Sequence, residues 1–229
     1  MILICVSGHS GAGKSRLLAA AKASGLAYRR HVIYTSRSPR EGETDGVDYH
    51  FRPREIIERF PTNRFIVEPV RGMLQAVDLA ALEIDLRSSR MVIVELFHTL
   101  WPRVQVAITT QVGITLRTLS VFLTAVALRS LENASDEAVR ATVVAAVEGI
   151  LTWRGKDNLA SEIRRRADSA GEEVLGVLRN KGAYDRVLVS APEGPEGDDE
   201  WTREAQPIGR AAEALREFLS MAETARRHG

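Results

Sequence analysis

Gly8-His9-Ser10-Gly11-Ala12-Gly13-Lys14-Ser15 decides the reading of this chain, because it fits G-x-x-x-x-G-K-[ST] at every fixed position. Residues 2–7 before it form a nearly continuous apolar run, the pattern of a strand covered on both faces. Residues 14–24 after it carry Leu17, Leu18, Ala20 and Ala21 at helical spacing, and Gly25 is placed to stop that helix in the left-handed conformation. Strand, glycine turn and helix thus stand in the order of a βαβ unit. The glycines let the backbone curl so that successive amide hydrogens point inward at phosphate oxygens, while the helix N-terminus adds about half a positive charge. Gly8, His9, Ser10, Gly11, Ala12, Gly13, Lys14 and Ser15 are therefore candidate phosphate-binding residues. Lys14 is expected to reach the β and γ phosphates, and the Ser15 hydroxyl to ligate Mg²⁺, which keeps several waters besides. His9 and Ser10 occupy variable positions that contribute through the backbone, and the His9 imidazole reads as incidental to the chemistry.

Outward from the loop, apolar runs recur at 91–96, 119–127 and 186–190, each separated by enough chain for a helical crossover. The expected class is α/β, a P-loop NTPase with a mainly parallel sheet flanked by helices. Residues 34–88 break the pattern, with turn chemistry at Ser38, Pro39, Gly42 and Gly46 and a helical stretch at 54–60, and read as an inserted subdomain. Residues 135–152 are helical in pattern. The stretch 153–166 is dense in charge and glycine, as a flap over a polyanion would be, so 151–168 is assigned as a lid. The core is then 1–33, 89–150 and 169–229 of a single domain. The acidic, glycine-rich 193–200 reads as a solvated loop, and 207–227, with Ile208, Ala211, Leu215, Phe218, Leu219 and Ala222 on one face, as a terminal helix packed on the sheet.

Composition excludes several classes. The 229 residues are 45% hydrophobic and 27% charged, with 17 Gly and 8 Pro, which is globular rather than disordered or fibrous. A net charge of +1 offers no broad field for nucleic acid or an anionic membrane. The strongest apolar stretch, 119–128, is bounded by Arg117 and Arg129 and is too short for a membrane span. The single Cys5 forms no internal disulfide and suits a reducing compartment. The start of the chain runs directly into the phosphate loop and lacks the look of a signal peptide, so a cytoplasmic location is expected.

From Tyr34 the chain reads YTSRSPREGETDGVDYHF, which sets Arg37 and Arg40 around Pro39 with Tyr49 shortly after. Two guanidinium forks and a phenol can grip one phosphate, and a proline between the arginines limits the conformations lost on binding.

The stretch Thr35 to Phe51 matches T-[TS]-R-x-P-R-x-G-E-x-x-G-x-D-Y-x-F, and on this motif the chain resembles the guanylate kinase family. The resemblance spans residues 1–68, is recognisable at 154–190 and is weak between. It implies a nucleoside monophosphate kinase fold in which Arg37, Arg40 and Tyr49 hold the acceptor's phosphate. It also implies that Glu68, in NRFIVE, recognises the guanine edge. WRGKDNLASEIRRRAD resembles the family's lid, so Arg154 and Arg166 would close on the phosphates during transfer. Arg164 and Arg165 adjoin Arg166 and leave that register open.

Three positions depart from the family pattern. Ile33 stands where the family usually has a serine that contacts guanine, Gln75 and Ala76 replace the tyrosine and glycine of a Y-G-[ST] segment, and Phe97 replaces a carboxylate after the central strand. Glu95, which remains, is placed to orient Mg²⁺ water or an arginine. The phosphate grip is thus better kept than the base readout. The expected activity is phosphoryl transfer from ATP, with Mg²⁺, to a nucleoside monophosphate, GMP or dGMP first. The alternatives are a P-loop kinase of another nucleotide or a sugar phosphate, and a non-catalytic guanylate-kinase-like binding module. Partners are small-molecule nucleotides, with no nucleic acid or membrane; oligomeric state is not read from sequence.

Overall fold

In the computed structural model, which describes residues 1–112, 116–155, 159–180, 182–190 and 208–224, the apolar run before the phosphate loop is strand β1 (Ile2–Gly8), buried along its whole length. The chain forms two compact units, one of Met1–Ser7 with Tyr28–Ser120, the other of Gly8–Ala27 with Val121–Gly229.

The first unit contains most of β1, then β2 (Arg29–His31), and β7 (Met91–Glu95) pairs parallel with both. Strand β8 (Arg117–Thr124) begins in this unit, where Arg117 N–H donates to the Met1 carbonyl at 3.2 Å. A second sheet lies within 34–78, in the order β4-β3-β6-β5, from β3 (Tyr34–Thr35), β4 (His50–Phe51), β5 (Phe65–Val70) and β6 (Met73–Asp78). Strands β5 and β6 form an antiparallel hairpin closed by Arg71 (φ 52°) and Gly72 (φ 79°). Two successive positive φ values give the turn whose twist matches that of the flanking strands. One face of this sheet packs Phe65, Leu74 and Ala76 on Ile57 of the short helix α2 (Arg54–Ile57), with Tyr34, Phe60 and Val67 around them. The other face contributes Ile33, Ile66 and Val77 to a larger core. That core includes Leu82 and Leu86 of α3 (Leu79–Ser88) and Trp101, Val104 and Ile108 of α4 (Trp101–Val112). Asp78 starts α3, accepting from Ala80 N and Ala81 N at 3.1 and 3.2 Å and filling donors a helix start leaves open.

The second unit carries α1 (Lys14–Ala23), the end of β8, α5 (Asp136–Arg154), α6 (Ala160–Arg179), β9 (Arg186–Val189) and α7 (Ile208–Thr224). Strands β8 and β9 pair parallel from Val121↔Arg186 to Thr124↔Val189. Helices α5 and α6 enclose Phe122 with Val139, Val143, Val147, Ala167, Ala170 and Val174. Ser135 begins α5 by accepting from Ala138 N, and Gly155 at φ 60° ends it.

The molecule is thus an α/β fold with a mainly parallel sheet flanked by helices. Several boundaries differ from the sequence reading. The helix expected at 54–60 keeps only 54–57, and the apolar run 119–127 leaves the sheet after Thr124, whose hydroxyl bonds to Val126 and bends the chain. Within 153–166, residues 153–154 close α5 and 160–166 open α6. Residues 193–200 lie outside the described residues. Among the described residues no helix is long and apolar enough to cross a membrane.

Candidate functional site

In the second unit the phosphate loop is shaped by neighbours far away in sequence. Gly8 has φ 151°, and a Cβ there would stand 2.3 Å from the Leu123 carbonyl oxygen, so only glycine lets the strand end so close to β8. Gly13, at φ 88°, precedes the first turn of α1. The Lys14 ammonium folds back over the loop and donates to the carbonyls of Gly8 (2.5 Å) and His9 (3.3 Å). Ser15 is exposed on the first turn. The Arg166 Nε donates to Ser10 Oγ at 3.2 Å, which brings one expected lid arginine to the loop. Along α6, Arg165 pairs with Glu162 and Arg164 with Asp168, and Arg164 also reaches Glu148 of α5. Arg154 closes α5, and its side chain lies outside the described residues.

His9, fully buried, has a part that the sequence did not disclose. Ala125 N–H donates to His9 Nε2 at 3.0 Å, and a backbone amide can only donate, so Nε2 must be the unprotonated nitrogen. Nδ1 then carries the hydrogen and donates to the Ser10 carbonyl at 2.7 Å, while Thr124 Oγ1 lies 3.3 Å from Nε2. A neutral imidazole thus fastens the loop to the end of β8. Ser190, after β9, adds a second tie, its hydroxyl donating to the Ala12 carbonyl at 2.6 Å.

In the first unit Arg37, Glu43 and Tyr49 come together. The Arg37 fork meets the Glu43 carboxylate at 2.6 and 2.7 Å, and its Nη1 also reaches the Ser38 carbonyl at 2.8 Å. Its guanidinium lies 5.1 Å from the Tyr49 ring centre and 5.4 Å from that of Phe51. Arg40 N–H donates to Glu43 at 2.7 Å. Burial raises the Glu43 carboxyl, but the Arg37 side chain, the Arg40 backbone and both positive charges outweigh it and hold the group below the usual carboxylate range. Among the described residues three of the five Arg37 N–H groups are used in this way, which leaves two to meet an anion. Burial and the nearby Glu95 raise the Tyr49 phenol, which stays protonated and able to donate. Glu95 ends β7 and pairs with Arg30 Nη2 at 2.9 Å.

Glu68, on β5, is ion-paired with Arg103 of α4, which also donates to the Val67 carbonyl at 3.2 Å. Ile33 is buried in the core. Gln75 lies opposite Glu68 on one side and Thr35 on the other. Arg103 and Glu43 were not singled out from the sequence. Glu43 belongs to the Thr35–Phe51 motif and could have been found there, whereas nothing local marks Arg103.

A Mg²⁺ ion fits the donor chemistry of the loop: Ser15 offers one exposed hydroxyl on the first turn of α1, and Mg²⁺ is usually held by few protein oxygens, phosphates and water. The described residues contain no cluster of three or more His, Cys, Asp or Glu suited to an all-protein cage.

The guanylate kinase family model matches residues 1–91. The guanylate kinase of Thiobacillus denitrificans is 48% identical over 58 residues, 25% of this chain and 28% of that protein, so this match spans little more than a quarter of the relative's length. The guanylate kinase of Rubrobacter xylanophilus is 32% identical over 180 residues, 77% of this chain and 93% of that protein. The crystal structure of guanylate kinase from Anaplasma phagocytophilum superposes with a TM-score of 0.56 at 19% identity, over 96% of this chain and 85% of that one, a likeness of fold. With a relative matched along nearly its whole length, and with the phosphate loop and the arginine segment both inside the family match, this chain belongs to the guanylate kinase family.

Proposed function

We propose that the protein transfers the γ-phosphoryl group of ATP to a purine nucleoside monophosphate, GMP or dGMP first. The observation that carries this reading is the folded arginine segment, in which Glu43 sets the Arg37 fork over Tyr49 with donors to spare. A preset fork of that kind suits a phosphate monoester, and it accompanies an intact donor loop at Gly8–Ser15.

In this reading the subdomain is 34–88, the lid is 151–168 and the rest is core. The loop amides and Lys14 hold the ATP phosphates, and Lys14 must leave the Gly8 and His9 carbonyls to do so. Ser15 ligates Mg²⁺, with Glu95 acting through water; the bound ion supplies charge neutralisation on the phosphate oxygens. Arg37, Arg40 and the Tyr49 phenol hold the acceptor phosphate, and Glu68 takes the base. Arg154 and Arg166 neutralise charge during transfer, Arg166 from its place beside Ser10. No covalent intermediate on the protein is required, since positioning and charge neutralisation carry phosphoryl transfer. One buried cysteine, its thiol pushed up to about 12 by burial, agrees with a reducing cytoplasm.

A second reading, in which the acceptor is another phosphorylated small molecule, is favoured by Ile33, whose side chain is packed in the core. The test is a panel of nucleoside monophosphates and sugar phosphates, each incubated with ATP and Mg²⁺ and scored for ADP. GMP and dGMP should lead, and Lys14→Ala should abolish turnover with the fold intact. A sugar phosphate leading the panel would replace the first reading with the second.

A further inference from the structure

Gln75 sits in the middle of a row that crosses three strands. It faces Thr35 of β3 on one side and Glu68 of β5 on the other. Directly opposed residues in antiparallel pairs share a face, so the three side chains stand together. The neighbouring row, Tyr34, Ala76 and Val67, points to the opposite, apolar face. On Gln75's own face the residues farther along, Ile33, Ile66 and Val77, belong to the core. The row is therefore the polar end of an otherwise apolar surface. Thr35 Oγ1 lies 3.4 Å from the Arg37 N–H, and Glu68 is held by Arg103. The Gln75 carboxamide oxygen is buried and receives no hydrogen bond from any described residue.

A buried acceptor without a donor is costly and calls for an explanation. A phosphate cannot supply it, because ionised phosphate oxygens accept and do not donate. A base edge with several N–H groups can. Guanine presents three such hydrogens, one on N1 and two on its amino group, against two oxygens of Glu68 and one of Gln75. Adenine offers an amino group beside an acceptor nitrogen, and hypoxanthine offers the N1 hydrogen alone.

We infer that Gln75 is a specificity-determining residue that accepts a hydrogen bond from the amino group of guanine, beside Glu68, and so makes up for the serine whose place Ile33 takes. The inference rests on the acceptor site proposed above and adds a residue to its base readout.

The test compares GMP with inosine monophosphate, which lacks only the amino group, as acceptors for the wild type and Gln75→Met. The wild type should favour GMP. In the variant the KM for GMP should rise about tenfold, as for loss of one hydrogen bond in a desolvated site. The KM for inosine monophosphate and both kcat values should stay unchanged. An equal rise for both acceptors would make Gln75 a structural or phosphate-side residue, and no change in either would remove it from the site; each overturns the inference. Thermal unfolding checks the fold, and if Gln75→Met is unfolded, Gln75→Glu, which keeps the acceptor oxygen, should retain the preference for GMP; its loss also overturns the inference. A wild type that phosphorylates no purine monophosphate brings down the proposed function itself, a result distinct from a working enzyme indifferent to Gln75.

Discussion

Replacing Glu43 by glutamine removes a charge and turns one of two acceptor oxygens into a donor, with little change of shape. In the wild type those oxygens hold Arg37 at 2.6 and 2.7 Å and the Arg40 N–H at 2.7 Å. The Arg37 and Glu43 side chains are only 18% and 20% exposed, so the pair is partly shielded from solvent screening. One charge-assisted bond to Arg37 must be lost, and such a bond contributes about 1.5–3 kcal/mol net. If Arg37 is thereby released from the geometry that receives the acceptor phosphate, the KM for GMP should rise about 10- to 100-fold, while the KM for ATP stays as it was. Steady-state kinetics with each substrate varied in turn measures both. Acid should reproduce the effect in the wild type. A carboxyl depressed in the folded protein contributes above its unfolded pKa and loses that contribution as pH falls through the folded value. Wild type and Glu43→Gln should therefore converge only below about pH 4, the ordinary carboxylate range. A GMP KM within twofold of wild type, or an equal rise for ATP, would refute the view that Glu43 places Arg37 for the acceptor.

Gly8→Ala should destabilise the protein by about 2–4 kcal/mol and abolish ATP binding, since the added methyl meets the Leu123 carbonyl at 2.3 Å; thermal unfolding and nucleotide titration measure the two effects. Arg103→Ala should lower the KM for GMP severalfold, because Glu68 no longer has to leave an arginine before meeting a base; a higher KM would place Arg103 itself against the acceptor. Asp85 should mark an acid limit of stability. Burial raises its carboxyl, but bonds from His31 and Arg29 outweigh that and hold it below the ordinary value. Its contribution is present above the unfolded pKa and is lost as pH falls through the lower folded one, so Asp85→Asn should flatten the stability decline measured below about pH 4.

The two candidate phosphate-binding segments were legible because each is compressed into a short, nearly contiguous pattern: Gly8 to Ser15 in one case, Thr35 to Phe51 in the other. Side chains whose partners are distant were not. The His9 imidazole read as incidental, since its acceptor role depends on Ala125, which lies far along the chain. The pairing of Glu68 with Arg103 requires a strand and a helix to meet across the first unit, and no periodicity encodes that meeting. The hairpin of β5 and β6 escaped notice because its turn is Arg71-Gly72 rather than Asn-Gly or Asp-Gly, with an arginine taking a positive φ. Helix α6 was obscured by the charge density of 153–166, although Glu162, Arg164 and Arg165 form ion pairs on a helix that carries Ala167, Ala170 and Val174 into the core.

The phosphate loop owes its shape to residues translated long after it. Leu123 limits what can stand at position 8, Ala125 selects the tautomer at position 9, and Ser190 anchors position 12. Gly8 to Ser15 carries the signature of the loop, while the groups that hold it in place stand at 123, 125 and 190. A chain cut before Ser190 would therefore keep the motif while losing the hydroxyl that holds the Ala12 carbonyl.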